Sequence, residues 1–238
     1  MPILANRNLA LPQTKNKEKI NMITYKDIKN DTAIRTYVQR ADASLKALGY
    51  TEHSFAHVTK VAETAGNILS ALSFSDRTVE LAKIAGYLHD IGNLVNRVDH
   101  SQSGAIIAFR ILDKMGMDPE EISVIVSAIG NHDEGTGVPV DEVAAALIIA
   151  DKSDVRRSRV RNKETISSDI HDSVNYSVTD SRLEISDSVI CLKLTIDTSV
   201  SSVMDYFEIF LGRMLLCRKA AEKLGLHFKL TINNQELL

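Results

Sequence analysis

Tryptophan is absent from this chain, and only four prolines and eleven glycines interrupt its 238 residues. So few breakers favour helices and argue against a turn-rich sandwich or barrel. Two cysteines, Cys191 and Cys217, are too few for a disulfide scaffold, and both sit in apolar surroundings. They are expected to be buried free thiols of a reducing compartment. No uninterrupted apolar run is long enough to span a bilayer, and the N-terminus lacks the apolar core of a secretory signal. A cytoplasmic protein with no membrane partner is therefore expected. Nor is there an excess of one charge: 28 basic residues face 31 acidic ones, a net of −3. Such a surface is not a general magnet for nucleic acid.

What the chain does contain is Ala, Ile, Leu and Val at helical spacing. Residues 1–21 are polar and weakly periodic, and read as a flexible tail. A helix is expected from about Asp31 to Leu48, closed by Gly49, and a second behind Thr51 or Ser54 with His57, Val61, Ala65, Ile68 and Leu72 on one stripe. A third starts near Ser75-Asp76 and ends at His89-Asp90, with Gly92 as the break. A fourth leads from His100 to Gly116, and a fifth starts at Asp118-Pro119 and ends near Gly130. The sixth starts near Val140-Asp141 and runs through Asp151 and beyond. After about residue 165 the composition shifts to Ser, Asp, Val, Ile and Thr. Val174–Val178, Arg182–Ile185 and Val189–Ile196 alternate like strands. A long helix over about Ser199–Leu224 and a last strand, Leu226–Ile232, complete the chain. The fold class is mainly α, a helical bundle with a small C-terminal α+β unit.

Residues able to bind a metal crowd the helical part: His53, His57, His89, Asp90, Asp99, His100, His132, Asp133, Glu134, Asp151 and Asp154. Several lie on or beside a helix end, and a bundle can aim such side chains into one pocket. Imidazole with carboxylate suits Fe, Mn, Co, Ni or Zn, and no cysteine competes. A lone His on an apolar helix is more often a core histidine. The joint pattern is what argues for ligation.

That pattern, H…HD…H…H…D, resembles the HD-domain metal-dependent phosphohydrolase superfamily over about residues 30–160. His57-Val-Thr-Lys-Val-Ala62 is similar to its first motif and Leu88-His-Asp-Ile-Gly92 to its central one. His100-Ser-Gln-Ser-Gly-Ala105 and His132 resemble the added histidines of two-metal members, and Ala150-Asp151-Lys152 the closing aspartate. The resemblance implies a helical domain over residues 22–165 and leaves residues 166–238 as a separate small unit. It implies that His57, His89, Asp90 and Asp151 hold one metal, and that Asp90 bridges to a second held by His100 and His132. Two divalent or mixed-valent ions are implied, Fe or Mn first, with Zn, Co, Ni or Mg as alternatives. A hydroxide bridging such ions can attack phosphorus in line. Asp90 is thereby the central catalytic residue. Glu63, Asp133 and Glu134 are candidates to fix histidine tautomers. His53 is a candidate ligand, proton donor or surface residue, and Asp99 a helix-start residue.

Two departures stand out. Many members carry Lys soon after the HD pair, where this chain has Asn93. His132-Asp-Glu-Gly-Thr-Gly-Val-Pro139 echoes the cyclic-di-GMP phosphodiesterase branch but is shorter, with Asn131 and Val138 at diagnostic places. The chain reads as outside that branch.

Lys152, Arg156, Arg157, Arg159 and Arg161 cluster after Asp151. If the sixth helix continues, Lys152 and Arg156 share a face and are substrate-binding candidates. A solvated face or an acidic partner's interface explains the cluster as well. The expected function is hydrolysis of a phosphate mono- or diester of a small phosphorylated molecule, a nucleotide first among them. The alternative is a metal-binding regulatory or dimerisation module without turnover, with a homodimer through the C-terminal unit. Nucleic-acid hydrolysis ranks last, since no aromatic stacking platform accompanies the arginines.

Overall fold

Among the residues that the computed structural model describes, 22–161, 164, 166 and 169–237, polar side chains set where most helices begin. The tail expected over residues 1–21 and the boundary expected at residue 165 lie outside them. Helices α1 (Tyr25–Asn30), α2 (Thr32–Ala47), α3 (Phe55–Ala71) and α4 (Asp76–Leu88) start behind Thr24, Asp31, Ser54 and Ser75. Helices α6 (Pro119–Gly130) and α7 (Glu142–Lys152) start behind Asp118 and Asp141. Each cap oxygen accepts a first-turn N–H that would otherwise lack a partner. Helix α5 (His100–Met115) differs. Asp99 precedes it with φ 55° and makes no side-chain cap, so it starts the helix by its backbone alone.

The C-terminal part consists of α8 (Ile170–Ser177), β1 (Val178–Ser186), β2 (Val189–Ile196), α9 (Val203–Lys223), β3 (His227–Ile232) and the short β4 (Gln235–Glu236). The sheet order is β1-β2-β3-β4. β1 and β2 form an antiparallel hairpin, α9 crosses over to bring β3 parallel to β2, and β4 turns back on β3. Val174–Ser177 is helix rather than the expected strand. Asp169 caps that helix through the N–H of His171, and Val174, Asn175 and Ser177 are buried. Five alternating residues are too few to separate the two periods.

Helix α7 is the hub. Nine of its eleven residues are buried, as expected of a helix that is apolar all round. Helices α3, α4, α6 and α9 pack around it. Tyr206, Phe210, Met214, Cys217 and Ala221 are the buried face of α9, while Met204, Leu211 and Leu215 stay exposed. The buried apolar side chains form one cluster from Ile23 to Ile232. Among the described residues, no helix is long and apolar enough to cross a membrane.

Helices α3 and α4 touch at Gly86, where a Cβ would fall 2.7 Å from the Cα of Ala62. Gly86→Ala must push these two helices apart. We expect a loss of ~1–3 kcal/mol, read as a lower urea midpoint with an unchanged slope. A midpoint equal to that of the parent protein would rule out the close approach.

Candidate metal centre

Six side chains from five helices meet at the C-terminal end of α7. His57 comes from the first turn of α3, His89 and Asp90 from the end of α4, and His100 from the start of α5. His132 follows α6, and Asp151 lies in the last turn of α7. The four imidazoles and Asp90 are buried. Asp90 stands between two groups of nitrogens. Its Oδ2 lies 3.5 Å from His57 Nε2 and 3.2 Å from His89 Nε2, and its Oδ1 lies 3.6 Å from His100 Nε2. Asp151 Oδ1 faces the same two imidazoles at 3.4 and 3.6 Å. His57, His89 and Asp151 each offer a donor atom within 4.8 Å of the others, and so do His89, Asp90 and His132. His100 joins this second group through His132, their Nε2 atoms being 3.2 Å apart.

The tautomers follow from the opposite nitrogens. Nδ1–H of His57 donates to Asp154 Oδ2 at 2.8 Å, and that of His89 to the Gly86 carbonyl at 2.8 Å. Nδ1–H of His100 donates to the Arg97 carbonyl at 3.1 Å, and that of His132 to the Ile129 carbonyl at 2.6 Å. Nε2 is therefore the nitrogen that each ring has left for the centre, and those of His57 and His89 face both Asp90 and Asp151. The buried Nε2 atoms of His57 and His89 and Oδ2 of Asp90 have no hydrogen-bond partner. Leaving a buried acceptor unsatisfied costs about 1–3 kcal/mol each, and a cation between them removes that cost. This donor set fits a metal ion with nitrogen and oxygen preference.

Charge points the same way. Burial alone raises the carboxyls of Asp90 and Asp151. Yet His89 beside Asp90, and Lys152 beside Asp151, lead the forces that hold both well below the usual range. Burial lowers His89, but the facing carboxylates of Asp90 and Asp151 raise it to about 10. Burial, with His89 and Lys152 nearby, drives His132 well below 6.5. Two carboxylates among buried imidazoles call for positive charge, which a proton on His89 or a bound cation satisfies.

Around this floor lies a cavity of about 440 Å³. Asp90, His100 and Asp151 open into it, as do Arg97, Lys152, Arg159 and Arg213. His171, Asp172 and Asn175 of α8 and Phe210 and Arg213 of α9 supply the facing wall. Lys152 Nζ sits 2.7 Å from both Asp151 Oδ2 and Glu134 Oε2, and Arg213 Nε lies 3.0 Å from Glu134 Oε1.

Several expected positions differ. Helix α7 stops at Lys152, because Ser153 caps it and the chain turns. Arg156 therefore does not share a helix face with Lys152, and it lies outside the cavity. Its guanidinium is bound by Asp154, Ser158 and Glu52. Arg157 reaches Tyr176 and Asp197, and Arg161 reaches Asp42. Of the cluster, Lys152 and Arg159 line the cavity. Glu63 pairs with Lys83, away from the imidazoles. Glu134 holds Lys152 and Arg213, and Asp133 comes within 4.0 Å of His100 Nε2. The carboxylate that fixes a histidine by its Nδ1 is Asp154. Asn93 Nδ2 donates at 2.9 Å to Asp90 Oδ1 and so steadies that carboxylate. His53 also lines the cavity, its Nδ1–H bonded to the Thr51 carbonyl. Cys217 is buried, which pushes its thiol up to about 12, and Cys191 is half-buried. Arg97, Arg213 and Phe210 carried no local motif, and only the tertiary fold brings them here.

Residues 54–157 match the family model of the HD domain. An uncharacterized protein of Methanocaldococcus jannaschii, MJ1020, is 25% identical over 179 residues, covering 65% of this chain and 68% of that protein.

Two tests follow. Asp154→Ala removes the acceptor that orients His57 and is expected to weaken metal binding about 10–100-fold, measured by titration of the chelated protein. Affinity equal to the parent's would sink the orienting role. The second test is pH. His89 has a folded value near 10 against 6.5 for the free side chain, so its contribution to stability is full below about 6.5 and is lost as pH rises through about 10. The metal-stripped protein should lose urea resistance over that interval. A reloaded protein, with a cation in the proton's place, should not.

Proposed function

We propose that the protein is a metal-dependent phosphohydrolase that cleaves a phosphate ester of a small molecule, with nucleotides as the first class to test, and the match of residues 54–157 to the HD domain supports this reading. The observation that carries the reading is the set of buried, partnerless acceptors: His57 Nε2, His89 Nε2 and Asp90 Oδ2. His57, His89 and Asp151, with Asp90, would hold one ion. Asp90, His132 and His100 would hold another, and Fe or Mn suits these donors first. Such a pair supplies a water-derived nucleophile at neutral pH and takes up charge on phosphate oxygens.

The chain's own residues supply the rest. Asp90 joins the two nitrogen groups through its two oxygens, and Asn93 keeps it from rotating. Lys152 occupies the outer oxygen of Asp151, which leaves the inner one for the floor. The cavity volume lies within the range for small-molecule pockets, about 300–1,000 Å³, and the walls from α8 and α9 limit what enters. A small substrate fits this shape better than a polymer.

Elemental analysis should find Fe or Mn in the native protein. The reloaded protein should turn over at least one compound in a panel of nucleoside phosphates, sugar phosphates, cyclic nucleotides and dinucleoside polyphosphates. Asp90→Ala should abolish that turnover. Metal bound at full occupancy with no turnover across the panel would favour a regulatory metal-binding module instead.

A further inference from the structure

The cavity cations differ in what already holds them. Lys152 lies between Asp151 and Glu134, and Arg213 is paired with Glu134. Arg159 donates to the backbone oxygens of Glu52 and Asp154. Arg97 has no carboxylate partner among the described residues. Its Nη1 donates to His100 Nε2 at 3.1 Å, and its guanidinium carbon lies 5.9 Å from the ring centre of Tyr50. Arg97 lines the cavity, and its guanidinium has further N–H donors beyond the one on His100.

Arg97 thus grips both ends of one imidazole. Its carbonyl accepts Nδ1–H of His100, and its side chain occupies Nε2. The backbone grip is compatible with a cation at His100, but the side-chain grip is not, because Nε2 has a single unshared pair. A cation there must displace the guanidinium while the carbonyl keeps the main chain of Arg97 in place. The displaced group is then a free, fork-shaped cation at the edge of the metal centre. Asn93 is spent on Asp90. Arg97, four residues on, is the cation that this stretch has to offer.

Resting on the hydrolase reading above, we propose that Arg97 is the substrate's phosphate receptor: it leaves His100 Nε2 when a cation binds there and takes two oxygens of the terminal phosphoryl group. Guanidinium and phosphate match in charge and in fork geometry. The substrate class is a small molecule with an exposed, doubly charged phosphomonoester, in preference to an internal diester.

The experiment uses the full chain and inorganic phosphate as the probe. Manganese is titrated into metal-stripped parent, Arg97→Ala and Arg97→Lys proteins, and phosphate is then titrated into the reloaded forms by calorimetry. We expect phosphate binding to weaken about tenfold or more in Arg97→Ala and less in Arg97→Lys. Manganese binding should be as tight as in the parent or tighter, since a competitor for His100 is gone, and that result also verifies folding. Phosphate affinity unchanged in Arg97→Ala overturns the role of Arg97 and leaves the hydrolase reading standing. Manganese binding lost in Arg97→Ala overturns it too, by making Arg97 a support of the metal site. A reloaded parent that binds no phosphate overturns both.

Discussion

Four imidazoles crowd their Nε2 atoms around one carboxylate, and this fold is arranged to hold them there. Each Nδ1 proton is committed outward, to Asp154 or to a carbonyl three residues earlier. No ring can therefore turn to present its N–H inward without breaking a buried hydrogen bond. His57 has the longest support. Asp154 is itself held by Lys60 at 3.0 Å and Arg156 at 2.9 Å, with Arg159 at 4.0 Å. Burial would raise the Asp154 carboxyl, but His57 and these cations keep it ionised. Arg156 thus serves the centre from behind, as a counter-charge for the residue that orients a ring.

The bundle was legible in the sequence because its signals are local. Ser54, Ser75, Asp118 and Asp141 each stand one residue before a helix, and the side-chain chemistry that makes them caps acts within one turn. His57, His89, His100, His132 and Asp151 were legible for a related reason: each sits in or beside a helix terminus, in a short motif with fixed neighbours. What escaped was long-range. Nothing near Asp154 says that it will meet a ring 97 residues earlier, and nothing near Arg213 says that it will meet Glu134. Helix α8 escaped for want of length, and the end of α7 at Lys152 rests on Ser153 and the turn after it, which the run of arginines beyond masked.

Helix α9 has two duties that pull on the same residues. One face packs against α7 and β3 and carries the sheet. Arg213, in the same helix, begins a chain of charges through Glu134 and Lys152 to Asp151. Burial penalises Glu134, Lys152 and Asp151, so each of these three depends on its charged neighbours to stay charged. The C-terminal part thereby enters the electrostatics of the candidate metal centre as well as the wall of its cavity.

The backbone around Gly92 adds a different kind of constraint. A Cβ there would lie 1.9 Å from the His100 carbonyl oxygen and 2.5 Å from the Gly104 nitrogen, so main chain rests directly on main chain. The start of α5 is clasped to the end of α4 without a side chain between them. The interval from His89 to His100 is consequently a backbone dimension, indifferent to how the surrounding core is repacked. Val95 and Val98, in the loop that the clasp closes, are exposed. Such a loop can change its exposed residues while the two ends of the candidate metal centre keep their distance.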